Sequence, residues 1–325
     1  VPRALLTGIS GQDGAYLADL LLSKGYEVFG LKRRLSTTNL WRLESLGIED
    51  KVTLIEGDMT DMSSLQNAVD KSEPDEIYNL AAQSFVPASF EAPILTFDIN
   101  AKGVINLLEA VRLSRKEIKF YQASTSEMFG GMQPESQSEK TAFNPRSPYA
   151  VSKAAAHYAT INYREAYGLH ASCGILFNHE SPLRGDEFVT KKITNAVRRM
   201  QHGYMDKLVL GNIDACRDWG HARDYVYAMW LMLQQESPDD YVIATGETHS
   251  VREFAKLAFE AIDLRYEDHD SFDEKFLRPS EVPVLRGDPQ KAKDVLGWTA
   301  SVTFQQLIDD MIFDEIKAQS KSAAA

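Results

Sequence analysis

Seven residues near the start of the chain, Gly8-Ile9-Ser10-Gly11-Gln12-Asp13-Gly14, restrict the fold more than any other stretch. They separate an apolar run that reads as a strand, Arg3–Thr7, from an amphipathic stretch that reads as a helix, Ala15–Lys24. Glycines at such a junction permit a tight turn and bring backbone close to a pyrophosphate, whose charge the helix start favours. The spacing is G-x-x-G-x-x-G and not G-x-G-x-x-G, so alone it also suits a plain glycine-rich connection. Its place, opening the first strand–helix unit, points to a dinucleotide site at Gly8, Gly11, Gln12, Asp13 and Gly14.

The alternation continues. Strands are expected at Glu27–Leu31, Val52–Glu56, Glu76–Leu80, Lys119–Ala123 and Ala171–Phe177. Helices are expected at Ser63–Asp70, Asn100–Leu113 and Ala150–Tyr167, the second with Val104, Leu107, Leu108 and Val111 on one stripe. This pattern implies an α/β fold, a Rossmann-type doubly wound parallel sheet covered on both faces. Ligands in such sheets lie beyond the carboxyl ends of the strands. After Leu183 the segments become short and mixed, with Pro279, Pro283 and Pro289 as punctuation. The expected division is residues 1–183 for the dinucleotide and 184–325 for a smaller, interleaved substrate lobe. Parts of about 211–250 rejoin the first unit, through a returning strand at Tyr241–Ala244.

The formal net charge of −12 argues against nucleic acid as a partner, so bound phosphates must be held by local cations and backbone amides. No apolar run approaches the length of a membrane span, and the start reads as a strand rather than a secretory leader. Cys173 and Cys216 make neither a disulfide framework nor a metal cluster. A reducing cytoplasm is expected, and no metal.

An acidic residue ending the second strand would bind a ribose 2′-hydroxyl; here Lys32-Arg33-Arg34 and Ser36 follow it. Arginine forks suit a 2′-phosphate, so NADP is the expected cofactor, with Lys32 equally readable as a solvated charge. Asp58, beside Met59, is placed to accept from an adenine amino group, and Leu80-Ala81-Ala82-Gln83-Ser84 to run along the pyrophosphate. Tyr149 and Lys153 stand one helical turn apart. An ammonium beside a phenol stabilises the phenolate, which makes a tyrosine usable as a base near neutral pH. The fifth strand ends in Ser124-Thr125-Ser126-Glu127, where hydroxyls can meet a substrate oxygen. Trp219 and Trp230 read as core, Arg198 and Arg199 as surface charges.

Six stretches taken together are far more specific: TGISGQDGAY at Thr7–Tyr16, YNLAAQSF at Tyr78–Phe85, FYQASTSEMFG at Phe120–Gly130, PRSPYA at Pro145–Ala150, GILFNHESPLRG at Gly174–Gly185 and RDWGHARDY at Arg217–Tyr225. They resemble the extended short-chain dehydrogenase/reductases and, more narrowly, the GDP-mannose 4,6-dehydratases, from Gly8 to about Gly297. The resemblance implies catalytic roles for Thr125, Glu127, Tyr149 and Lys153. Tyr149 would take the C4 hydroxyl proton as hydride leaves C4, and Glu127 would strip C5 and help the C6 hydroxyl depart as water. It also implies that Asn178, His179 and Arg184 lie near the substrate phosphates or the nicotinamide. For a GDP-sugar it implies contacts from Ser84, Lys192, Arg217, Arg278 and Glu281. A homo-oligomer, dimer or tetramer, is expected on the same ground, with the Arg34–Arg42 loop reaching a neighbour's site; a simple surface loop is the alternative.

The sequence departs from the family's pattern at Leu95, Asn100-Ala101-Lys102, Tyr227 and the small residues Ala154-Ala155-Ala156 after the lysine. A larger sugar, such as a GDP-mannoheptose, therefore stays open. So do a reductase or epimerase of GDP-4-keto sugars and a non-catalytic NADP-binding protein.

Overall fold

The computed structural model describes residues 1–130, 135–277 and 279–322. Its first half runs β1 (Arg3–Thr7), α1 (Gln12–Ser23), β2 (Glu27–Lys32), α2 (Trp41–Ser45), β3 (Thr53–Glu56), α3 (Met62–Ser72), β4 (Glu76–Asn79), α4 (Val86–Glu91), α5 (Pro93–Phe97), α6 (Gly103–Leu113), β5 (Lys119–Thr125), α7 (Pro148–Tyr167) and β6 (Ala171–Leu176). The second half runs β7 (Asn178–Glu180), α8 (Val189–Gln201), β8 (Leu208–Leu210), β9 (Cys216–Arg217), β10 (Trp219–His221), α9 (Ala222–Gln234), β11 (Asp240–Ile243), β12 (His249–Ser250), α10 (Val251–Glu260), β13 (Asp270–Phe272), β14 (Val284–Leu285) and α11 (Phe304–Ser322).

Seven strands form one sheet in the order β11-β6-β5-β4-β1-β2-β3, with every neighbouring pair parallel. Burial of every residue of β4 and β6 matches a sheet covered on both faces. On one face Leu17 and Leu21 of α1 pack with Val226, Met229 and Leu233 of α9. On the other, the stripe Val104, Leu107, Leu108 and Val111 of α6 packs with Leu65 and Val69 of α3. The strand order reverses between β1 and β4, which opens a crevice at their carboxyl ends.

The expected strands are all present, and β11 returns to the sheet beside β6. The expected helices differ at their starts: the one expected from Ala15 begins at Gln12 and the one expected from Ser63 at Met62. The one expected from Asn100 begins instead at Gly103, behind a wider π-helical turn over Asp98–Lys102. The one expected from Ala150 begins at Pro148, because Ser147 accepts a hydrogen bond from the Ala150 N–H and Pro148 needs no partner at the first turn.

A second core gathers α8, α10 and α11 around Ile193, Val197, Trp219, Phe254, Phe259, Leu307 and Met311. Trp219 is thus core, as expected, whereas Trp230 is only half-buried, under the Lys24 ammonium. Fully buried Asp218 ties the two regions together: its carboxylate accepts from the backbone N–H groups of Thr245, Gly246 and Gly287 at 2.8, 2.9 and 3.2 Å. No helix among the described residues is long and apolar enough to cross a membrane.

Candidate active site

A cleft of about 1330 Å³ runs along the carboxyl ends of the strands and between the two cores. Its floor is the glycine-rich turn. Gly8 has a φ of +69°, and a Cβ there would lie 2.9 Å from the Ala81 nitrogen, so the turn and the segment after β4 can close up only around glycine. A Cβ at Gly14 would lie 2.3 Å from the Gly8 carbonyl oxygen, which excludes larger residues from the start of α1. Gly11 caps that helix without a side-chain acceptor, so first-turn N–H groups remain for an anion.

Gly8, Gly11, Gln12, Asp13, Gly14, Arg33, Asp58, Met59 and Leu80–Ser84 all line the cleft. Arg34 and Ser36 do not; they stand exposed on the following loop, outside the cleft wall. Arg42, at the end of that loop, is anchored within its own chain, donating to the carbonyls of Leu183 (2.7 Å) and Ser10 (3.0 Å). One Asp58 oxygen already accepts from the Thr60 N–H and hydroxyl. An uncapped helix start over a glycine floor fits a dinucleotide pyrophosphate.

Thr125, Glu127, Tyr149 and Lys153 meet on one wall of the cleft. The Thr125 hydroxyl, at the end of β5, is hydrogen-bonded to the Tyr149 phenol and accepts from the Glu127 N–H at 3.3 Å. Glu127 is half-buried and close enough to act electrostatically on Tyr149. Burial pushes the Tyr149 phenol up to about 12; the Thr125 hydrogen bond opposes this and the Glu127 charge adds to it. Lys153 stands one turn along α7 from Tyr149. That lysine is itself buried, which brings it down to about 8, and its ammonium donates to the Ala123 carbonyl. Ser124 lines the cleft too, with its hydroxyl 2.9 Å from Nδ1 of buried His157.

The segment from Asn178 to Arg184 forms the opposite wall. His179 uses both ring nitrogens inside the protein, Nδ1 at 2.8 Å from the Phe177 carbonyl and Nε2 at 2.8 Å from Oδ2 of Asp13. Its pKa is raised, desolvation being outweighed by the charge and hydrogen bond of Asp13; that of Asp13 is lowered against its own desolvation by the same pairing. Gln12 joins in, donating to the His179 carbonyl and accepting from the Ser181 hydroxyl at 2.7 Å. The side chains of Gln12, Asp13 and His179 therefore brace the floor against this wall, leaving backbone to face the cleft. Arg184 lies 3.0 Å from Glu180 and stacks 3.5 Å above the Phe188 ring.

Lys192, Arg217 and Glu281 line the far end, Lys192 over the Phe276 ring at 3.6 Å. Buried Arg217 donates to the carbonyls of Cys216 and Val282, both at 2.9 Å. Arg278 lies outside the described residues. Sequence reasoning missed the aromatic wall of Phe85, Phe90, Phe188 and Phe276, and Asn212 with it. Those residues lie on short helices and loops with no periodicity; the only hint was Phe85 within the stretch YNLAAQSF.

A family model described as GDP-mannose 4,6 dehydratase matches residues 5–311. GDP-mannose 4,6 dehydratase 1 of Arabidopsis thaliana is 54% identical over 324 residues, 97% of this chain and 90% of that protein. GDP-mannose 4,6-dehydratase of Vibrio cholerae is 45% identical over 355 residues, 99% of this chain and 95% of that protein. Among solved structures, the UDP-glucose 4-epimerase of Thermus thermophilus in complex with NAD superposes with a TM-score of 0.84 at 27% identity, over 96% of this chain and 98% of that one. A glycine-floored cleft, a Thr–Glu–Tyr–Lys wall and likeness along nearly the whole length agree: the chain belongs to the GDP-mannose 4,6-dehydratase family.

Proposed function

We propose that this protein is a hydro-lyase that converts GDP-mannose to GDP-4-keto-6-deoxy-mannose with NADP held throughout the cycle. The observation that carries the reading is Glu127 beside Tyr149 in the same cleft, a carboxylate where oxidation or reduction alone would need none. NADP, held by the glycine turn and Arg33, would supply the redox chemistry, a hydride acceptor for C4 and a hydride donor for C6. Tyr149, steadied by the Thr125 hydroxyl, acts as the phenolate that accepts the C4 hydroxyl proton; the Lys153 ammonium, one turn along α7, and the positive nicotinamide ring stabilise that phenolate, which makes Lys153 a catalytic residue in this reading. The resulting ketone acidifies the C5 hydrogen, which Glu127 removes as a proton and passes to the departing C6 hydroxyl, so that water leaves. A proton restored to C5 balances the one that Tyr149 took.

Arg33 at the end of β2, with no carboxylate there, supports NADP over NAD. In this reading residues before 183 chiefly hold the cofactor. Lys192, Arg217 and Glu281 from the second lobe, with Ser84 and Asn178, hold the nucleotide sugar. Two free thiols, Cys173 buried and Cys216 half-buried, support a reducing compartment such as the cytoplasm.

Incubation of the purified protein with GDP-mannose should yield a product lighter by one water, with no net NADPH. Glu127→Gln should stop the elimination while leaving reduction of bound NADP visible by absorbance. Unchanged GDP-mannose, or NADPH formed one-for-one with product, overturns the reading; full turnover by the variant removes Glu127 from it.

A further inference from the structure

Thr7, Asn79 and Gln122 stand side by side in one row across three central strands, Thr7 paired with Asn79 and Asn79 with Gln122. All three are essentially without solvent contact, on the sheet face that also buries Leu5, Ile77 and Phe120. The Thr7 hydroxyl oxygen accepts from the N–H groups of Leu80 and Ala81, both at 3.0 Å. With both lone pairs used, its proton goes to Oδ1 of Asn79 at 2.6 Å. That fixes the Asn79 amide, whose nitrogen donates to Oε1 of Gln122 at 2.8 Å. Gln122 then donates to the Ala123 carbonyl at 3.0 Å, the same oxygen that accepts from the Lys153 ammonium.

Each group accepts on the side of the glycine floor and donates on the side of the lysine. Aligned hydrogen bonds of this kind polarise one another, and in a dry interior a missing member is costly. One end of the run holds the segment that lies against Gly8; the other shares an acceptor with the Lys153 ammonium.

We infer that Thr7, Asn79 and Gln122 are positioning residues that couple the seat of the cofactor to the placement of the Lys153 ammonium. The inference rests on the catalytic role proposed for Lys153, and it concerns residues that touch neither substrate nor cofactor in that proposal.

The test uses Gln122→Met, which keeps length and bulk but removes the amide, and Thr7→Val, which removes only the hydroxyl. Both should release NADPH faster from the sugar-free protein, by about tenfold, read by cofactor fluorescence. Gln122→Met should lower kcat by ~10-fold or more with KM for GDP-mannose changed less than about twofold. It should also move the alkaline fall of activity to higher pH, because Ala123 then offers both lone pairs to Lys153. Thr7→Val should move that fall too, across two strands, while Thr7→Ser restores the wild-type profile and release rate. A purely structural row would lower the melting temperature of both variants and move neither the pH profile nor the release rate.

Wild-type NADPH release from Gln122→Met, or strictly additive effects in the double variant, overturns the coupling. If the wild-type protein fails to dehydrate GDP-mannose, the functional reading falls, and the release rates alone then decide whether the row is coupled.

Discussion

At the scale of residues, burial decides the chemistry. The ammonium of Lys153 is brought from an ordinary 10.5 to about 8 by desolvation. It is charged below that value and neutral above it, so activity that needs the charge should fall as pH rises past about 8. Stability should respond in the opposite sense. A base whose pKa is depressed by folding carries a penalty below its folded pKa, and the penalty is relieved as pH climbs towards the unfolded value. The stability of the wild type relative to Lys153→Met should therefore improve between about 8 and 10.5 in a pH series of thermal melts, while turnover declines. Activity flat to pH 10 would mean that Lys153 stays charged or is not needed. The residues of this wall were legible as letters, Tyr149 and Lys153 by spacing and Thr125 and Glu127 by their place after a strand. Their ionisation was not: burial raises the Tyr149 phenol and lowers the Lys153 ammonium, and both effects depend on the packing around each group.

At the scale of elements, the catalytic wall is only as firm as the first turn of α7. The Ser147 hydroxyl accepts the Ala150 N–H at 3.1 Å, two residues from Tyr149. Ser147→Ala should cost about 1 kcal/mol, visible as a lower melting temperature, and should reduce kcat more than it raises KM because Tyr149 loses its fixed height. Ser147→Asp should recover most of the stability, and equal kcat in all three proteins would detach the cap from catalysis. Strands such as β5 and β6 could be read directly, since β-branched and aromatic runs between turn residues specify them. The π-helical turn before α6 could not be read. It is stabilised by Asn100, whose side chain accepts from the Gln83 N–H at 2.8 Å and donates to the Gln83 carbonyl at 3.0 Å, contacts 17 residues distant that no local period reveals. The short strands of the second core, two or three residues each, likewise owe their pairing to tertiary contacts.

At the scale of the whole molecule, α1 is tied to the segment after β6 by the pair Asp13–His179, with side chains 22% and 11% exposed. The His179 pKa is raised, so its contribution is complete below the ordinary imidazole value of 6.5 and is lost as pH rises through the raised one. The Asp13 pKa is lowered, so its share is present above 3.8 and is lost only as pH falls through the depressed value. Asp13→Asn should thus destabilise the protein by about 1.5–3 kcal/mol between those two ordinary values, and by less as the medium becomes alkaline. Thermal melts of both proteins across that range provide the check; a difference independent of pH would show that the contact is not ionic. The path of the chain carries a last consequence. β11 closes the open side of β6, and α9 covers α1, yet both are synthesised after the first residues of the second core. A ribosome-bound chain that ends near residue 200 would carry a naked strand border and a greasy helix face, the kind of surface that chaperones grip. Splitting the gene near residue 183 should therefore yield two sticky fragments rather than two working halves.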